Sequence, residues 1–167
     1  MRLVQLSMSK VIFVDIDGPL ITGDLYKTDP YCSYTRSMVN VQCLSRLKKL
    51  IKQTGARLVT NTMHNEQIVN GRTIRDDLIK WGVSEDCFHE TWRTIFPMVD
   101  YTNAGPRRGV GRMIAINRWL AENGLHNWVC FDDRNFTDDQ RLILVDFNKG
   151  IGDAEYKTAL SLLGARD

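Results

Sequence analysis

Two acidic residues follow directly on a short apolar run near the start of the chain. Asp15 and Asp17 come after the apolar residues 11–14, and Gly18 then allows a sharp turn. Side chains two residues apart share one face, so the two carboxylates lie together. One carboxylate suits a nucleophile and the other a proton donor, with a hard cation between them to offset their repulsion. The alternative is a plain turn at the end of a strand, where Asp and Gly are also common.

A second polar group ends the apolar run at residues 57–59. Thr60 and Asn61 follow this run and carry hydroxyl and amide groups that could hold a phosphate oxygen. Thr and Asn also end many strands for turn reasons alone, so this pair is informative only beside the other groups.

A third group, Asp132 and Asp133, closes the apolar run at residues 128–131. Adjacent acids suit Mg²⁺, one binding directly and one through water, because Mg²⁺ keeps much of its hydration. The alternative is a solvated acidic turn.

The fourth group is basic and lies at the start of a predicted helix over residues 113–123. Arg107, Arg108 and Arg112 stand there, where free backbone N–H groups already attract anions. An arginine adds a charged, forked donor for a phosphate. A solvated basic loop is the alternative for each of them.

The elements that must position these groups alternate along the chain. Apolar runs at residues 11–14, 57–59, 87–89, 128–131 and 142–145 predict about five strands, and the segments between them carry apolar residues at helical spacing. This pattern is typical of a doubly wound, Rossmann-like α/β fold with a parallel sheet and helices on both faces. Asp153 is the predicted N-cap of the last helix. Ligands in such folds bind beyond the carboxyl ends of the strands, where the acidic groups stand.

Length and composition narrow the class of protein. A chain of 167 residues, 43% hydrophobic and 25% charged, predicts one globular domain over residues 1–167. The net charge of +2 is too small to indicate nucleic-acid binding by itself. Four widely spaced cysteines without a CxxC pair predict free thiols. The sequence shows no leader or membrane-spanning pattern, so we expect a cytoplasmic protein.

The order of these groups along nearly the whole chain resembles the four motifs of the haloacid dehalogenase (HAD) superfamily. The resemblance implies that Asp15 is the nucleophile, forming an aspartyl-phosphate, and that Asp17 is the general acid and base and lends a backbone carbonyl to Mg²⁺. It further implies that Thr60 orients the phosphate and that Asp132 is a metal ligand assisted by Asp133.

The finer pattern is similar to a small HAD branch associated with RNA-repair proteins, with some departures. Met63 and His64 stand where that branch has Trp-Arg, so its substrate-contacting arginine is missing. His64 is a candidate substrate contact, the alternative being an exposed polar residue. The basic third motif is usually Lys; counting back from Ile116 and Trp119 in the pattern of that branch implies Arg112 there, with Arg107 and Arg108 as alternatives.

The predicted loops bear on the substrate. Residues 19–37 form a loop-sized flap, residues 92–108 form a second loop, and no full cap domain fits between the motifs. An open HAD site implies a large substrate, so the first hypothesis is a Mg²⁺-dependent phosphatase acting on nucleic-acid ends such as a 3′-phosphate. The second is a phosphatase for nucleotides or another small metabolite. The third is a non-catalytic HAD-like binding module.

Overall fold

The fold is built on one parallel sheet, seen in a computed structural model that describes residues 8–97 and 110–165. The sheet has five strands in the order β3-β2-β1-β4-β5, and every pairing is parallel. The strands are β1 Lys10–Val14, β2 Arg57–Thr60, β3 Phe88–Arg93, β4 Asn127–Asp132 and β5 Leu142–Leu144. The predicted doubly wound α/β fold is confirmed.

Helices connect the strands. They are α1 Cys32–Thr35, α2 Val41–Thr54, α3 Ile74–Lys80, α4 Val110–Asn123 and α5 Asp153–Leu163, with 3₁₀ turns at Leu25–Lys27, Met63–Glu66 and Glu85–Cys87. The Asn40 side chain caps α2 by accepting hydrogen bonds from two backbone N–H groups of its first turn. Gly55 ends α2 in the left-handed conformation that glycine favours.

The core lies on both faces of the sheet because the central strand is buried on both sides. Ile12 and Val14 pack on one face with residues of α2, α3 and α5, whereas Val11 and Phe13 pack on the other face with residues of α4. An apolar strand without alternating polar positions is what a central parallel strand requires. This two-sided packing fixes β1, and with it the two acids that follow it.

Several element boundaries differ from the sequence predictions, among them the start of α5 and the end of β3. Gly152 is the N-cap of α5, and Asp153 is already helical. Glu155 supplies the capping carboxylate by accepting a hydrogen bond from the Gly152 N–H, while Asp153 binds Arg46 instead. β3 runs on to Arg93, so the start of the predicted second loop is strand. The rest of that loop from residue 98 onward lies outside the described residues.

The flap, residues 19–37, contains a 3₁₀ turn and α1 and is tied to the body at its far end by Arg36. Arg36 has a left-handed backbone (φ 52°), and its buried guanidinium lies 3.1 Å from Asp77 Oδ2. The same guanidinium also donates to the carbonyl oxygens of His64, Gln67 and Arg72. Each charge-assisted bond is stronger than a neutral one, so the end of the flap is firmly held.

Two broader predictions can be compared with the fold. All four cysteines are free thiols, as the sequence predicted. Over residues 8–97 and 110–165, none of the helices has the length and apolar character needed to cross a bilayer. The same residues contain no cap domain between β1 and α2, only the flap with its short helical turns.

Candidate active site

The predicted site lies where three neighbouring strands end. Asp15 follows β1, Asn61 follows β2 and Asp132 ends β4. Backbone hydrogen bonds continue the sheet past its last residues: the Asp15 N–H donates to Phe131 O at 3.0 Å, and the Asn61 N–H donates to Val14 O at 2.9 Å. The three strand ends therefore form one edge, as expected for a ligand site in a doubly wound sheet.

Three carboxylates converge at this edge. Asp15, Asp132 and Asp133 each offer an oxygen, and these oxygens all lie within 4.8 Å of one another. Asp15 and Asp132 are buried, and Asp133 is partly exposed. An all-oxygen donor set with one accessible member fits a hard cation such as Mg²⁺, which keeps several water ligands. The structure thus brings together three of the four acids that the sequence predicted as metal ligands, and metal binding by them stays a prediction.

Arg112 bridges the two buried acids. Its Nη1 donates to Asp15 Oδ2 at 2.7 Å and to Asp132 Oδ2 at 2.5 Å. Burial lowers the pKa of Arg112, but the two carboxylates outweigh it and raise the pKa, so the guanidinium stays charged. Arg112 thus lies at the acidic cluster, and its role as the basic third motif stays a prediction, while Arg107 and Arg108 lie outside the described residues.

The pKa values of the bridged acids show that one arginine does not balance their charge. Burial and, after it, the nearby Asp15 raise the pKa of Asp132, Arg112 only partly offsets them, and the resulting pKa is about 8. Burial likewise raises the pKa of Asp15 despite Arg112. A second positive charge would keep both carboxylates ionised at neutral pH. This unmet need is independent support for a cation at the cluster.

Gly18 allows Asp133 to approach the turn after β1. Its φ is 90°, and a β-carbon added there would lie 2.7 Å from Asp133 Cβ, closer than real side chains come. Gly18 is therefore required both by the left-handed backbone and by the lack of space. The Asp-x-Asp-Gly turn and the Asp132-Asp133 pair fit against each other through this glycine.

Asp17 stands apart from the three clustered carboxylates, although the sequence analysis placed it among the metal ligands. Its carboxylate accepts hydrogen bonds from the Tyr26 hydroxyl (3.2 Å) and lies 3.0 Å from His64 Nε2. Burial raises the pKa of Asp17, but hydrogen bonds from His64, Ser33 and Tyr26 outweigh this and lower it. The Asp17 side chain is thus not part of the cluster of three carboxylates. A contact of its backbone carbonyl with Mg²⁺ stays a prediction.

Thr60 and Asn61 are both fully buried. The Thr60 hydroxyl donates to Asn65 Oδ1 at 2.6 Å, and Asn61 Oδ1 accepts from the Thr94 hydroxyl at 2.7 Å. Besides Arg112, Asp15 accepts a side-chain hydrogen bond from Thr62, which the sequence did not single out as a site residue. The Thr-Asn-Thr sequence contained both hydroxyls, but only the turn after β2 decides which one reaches Asp15. Phosphate contacts by Thr60 and Asn61 stay predictions.

His64 is only 4% exposed, so the alternative of an exposed polar residue is wrong. Its Nε2 points at Asp17, and the Ser33 hydroxyl lies 3.3 Å from the same nitrogen. In this structure His64 contacts the second acid of the first motif, and the predicted contact with substrate is not tested.

Neither the curated proteins nor the solved structures include a significant match to the chain. A family described as "HAD domain in Swiss Army Knife RNA repair proteins" matches residues 11–156, a span that holds Asp15, Asp17, Arg112 and the Asp132-Asp133 pair. The chain therefore belongs to this family of the HAD superfamily.

Proposed function

We propose that this chain is a Mg²⁺-dependent phosphomonoester hydrolase that works through an aspartyl-phosphate on Asp15. Membership of the HAD superfamily supports a phosphatase-type hydrolase. The observation that carries the proposal is the bridge from Asp15 through Arg112 to Asp132, because it fixes a buried carboxylate beside a cluster suited to a cation. A purely structural turn would not need three converging acids and a buried arginine.

In the first step an oxygen of Asp15 attacks the phosphorus of the ester. The bond between phosphorus and the leaving oxygen breaks, its electron pair stays on that oxygen, and Asp17 gives it a proton. Arg112 holds the Asp15 carboxylate in one orientation through Oδ2. A magnesium ion held by Asp15, Asp132 and Asp133 would supply positive charge against the phosphoryl oxygens.

In the second step Asp17 takes a proton from water while the water oxygen attacks the phosphorus. The acyl-phosphate bond breaks, which restores the Asp15 carboxylate and releases inorganic phosphate. Asp17 is left protonated for the next turnover, so protons balance over the cycle. The lowered pKa of Asp17 is compatible with this role because a phosphate dianion beside it raises that pKa by like-charge repulsion.

For the substrate we propose a phosphorylated nucleic-acid end. The matched family is described from RNA-repair proteins, which favours this class over small metabolites. The short flap also favours it, because the described residues include no cap domain that would exclude a polymer. The predicted phosphate contacts Arg107 and Arg108 belong to the same proposal. Nucleotides or another small phosphorylated metabolite are the second candidate.

Phosphate release tests the function directly. The chain is incubated with Mg²⁺ and, separately, a 3′-phosphorylated oligonucleotide, a mononucleotide and an aryl phosphate. We expect release from the oligonucleotide to be fastest and to be lost in Asp15→Asn but not in Asp138→Asn, which changes an exposed acid. Release that survives Asp15→Asn would contradict the mechanism. Faster release from mononucleotides would favour the second candidate, and no release at all would favour a non-catalytic binding module.

A further inference from the structure

Donors from two separate segments converge on the carboxylate of Asp17. Tyr26, in the flap, donates its hydroxyl to Oδ1 at 3.2 Å. His64, in the 3₁₀ turn Met63–Glu66, places Nε2 at 3.0 Å from Oδ2. Ser33, also in the flap, adds a hydrogen bond to the same carboxylate. Both carboxylate oxygens thus have hydrogen-bond partners, while the Asp17 side chain keeps 36% of its surface exposed to solvent.

The imidazole of His64 is committed to this contact. While Asp17 is ionised it can only accept hydrogen bonds, so Nε2 then carries the proton that faces it. The other nitrogen, Nδ1, is buried and has no hydrogen-bond partner among the residues that the structure describes. The backbone holds the ring in place, since the His64 N–H donates to Thr62 and the His64 carbonyl accepts from Arg36. The buried imidazole is therefore held with Nε2 against the Asp17 carboxylate and the Ser33 hydroxyl.

The same arrangement orients the flap and the 3₁₀ turn relative to each other. Ser33 Oγ lies 3.3 Å from His64 Nε2, so the flap and the turn meet at the atom that contacts Asp17. An acid at the end of a strand is otherwise free to rotate about two side-chain bonds. Restricting that rotation before substrate arrives increases the fraction of molecules in a reactive geometry.

We propose that His64, Tyr26 and Ser33 are positioning residues that hold the Asp17 carboxylate for proton transfer to the leaving oxygen. The inference rests on the proposed function of Asp15 and Asp17 and assigns His64 a role different from direct substrate contact. Substrate contact and positioning make different predictions. Loss of a phosphate contact weakens reaction with every phosphate ester alike, whereas loss of the proton donor's position matters most when the leaving group is strongly basic.

The test compares two esters in the presence of Mg²⁺: an alkyl phosphate, whose leaving alkoxide needs a proton, and nitrophenyl phosphate, whose leaving group does not. The measured quantity is kcat/KM, which reports the steps up to the aspartyl-phosphate. We expect His64→Leu to lower kcat/KM about 100-fold for the alkyl ester and less than about 10-fold for the nitrophenyl ester. His64→Gln keeps an N–H donor near the position of Nε2 and should restore most of the loss.

Matched controls separate this role from folding. Tyr26→Phe removes one donor hydroxyl and should lower kcat/KM for the alkyl ester about 10-fold, whereas Tyr31→Phe removes an exposed hydroxyl of the same flap and should change neither ester. His89→Leu is the control for His64, because His89 stands near the amino end of β3, away from the carboxyl ends that carry the acids. There it lines a cavity together with Ser9 and Lys10. If His64→Leu fails to fold, Tyr26→Phe alone carries the comparison.

The outcomes are distinguishable. Greater loss on the alkyl ester, with rescue by His64→Gln, supports positioning, and crystals of His64→Leu should then show Asp17 in more than one rotamer. Equal loss on both esters overturns the inference but leaves the proposed function standing. A wild-type chain that releases phosphate from neither ester overturns the proposed function and this inference with it.

Discussion

Arg112 Nη1 lies 2.7 Å from Asp15 Oδ2, a contact that joins α4 to the end of β1 across 97 residues of sequence. The same nitrogen also reaches Asp132, so one buried guanidinium serves two buried carboxylates. Removing one member of such a group leaves the others without compensation, which costs more than the group contributes as a whole. The site is therefore sensitive to the loss of any one of these three side chains.

Arg112→Met removes the charge while keeping an unbranched apolar side chain. We expect the free energy of unfolding to fall by about 3–5 kcal/mol at pH 8, since Asp15 and Asp132 stay buried without a partner. The loss should be smaller at pH 5, where these carboxylates take up protons. Urea unfolding at both pH values measures this, with the exposed Arg118→Met on the same helix as the control. An unchanged midpoint at pH 8 would show that Arg112 does not bridge the acids.

The metal-free protein should lose stability as the pH rises, relative to Asp132→Asn. The folded pKa of Asp132 is about 8, above its ordinary value of 3.8, so the folded state binds more protons than the unfolded state between these values. Stability from this group is fully present below about pH 4 and is lost as the pH passes through 8, by at most about 1.4 kcal/mol per pH unit. Urea midpoints at pH 5 and pH 8 measure the difference. A wild-type slope no steeper than that of Asp132→Asn would contradict the raised pKa.

Binding of Mg²⁺ should depend on the acidic cluster. Asp132→Asn removes one anionic oxygen donor, and we expect Mg²⁺ affinity at pH 8 to fall at least about 10-fold, because ligand charge contributes to affinity for hard cations. Calorimetric titration of the folded protein checks this without any substrate. Asp138→Asn, an exposed acid on the following loop, should bind Mg²⁺ as the wild type does. Removal of Mg²⁺ by a chelator should also abolish phosphate release.

Gly18→Ala should disturb the site more than the backbone conformation alone explains. Both Gly18 and Gly71 have positive φ, but only Gly18 leaves no room for a β-carbon, because Asp133 lies in its place. Each alanine should cost about 1–2 kcal/mol for its left-handed backbone. Only Gly18→Ala should also weaken Mg²⁺ binding, since Asp133 has to move. Equal Mg²⁺ affinity in the two variants would show that the close contact is unimportant.

The predicted site residues that the structure does bring together lie on regular elements or directly after them. Asp15 directly follows β1 and Asp132 is the last residue of β4, so their meeting follows from the parallel pairing of these two strands. The pattern of the family branch, counted back from Ile116 and Trp119, implied Arg112, and α4 buries all three because they lie one and two turns apart. Periodicity carries this information because a strand or helix repeats its orientation from residue to residue.

The parts that could not be predicted lie on turns. Thr62 is the residue just before a 3₁₀ turn, and His64 lies within that turn. Side-chain direction there depends on single dihedral angles and not on a repeat. The contact between His64 and Asp17 spans 47 residues, and Tyr26 reaches Asp17 from the flap. Such contacts depend on where tertiary packing places a loop, which no local pattern in one sequence records.

The buried ion pair of Arg36 with Asp77 holds one end of the flap against the body of the protein. Lifting the flap away at its far end would expose a guanidinium and a carboxylate that now balance each other, and would also break the bonds from Arg36 to three backbone carbonyls. Opening of the flap at the end that carries Arg36 is therefore unfavourable. Under the proposed function, we therefore expect phosphate esters to be selected by an entrance whose margin at Arg36 stays in place, and not by a lid that opens at this end.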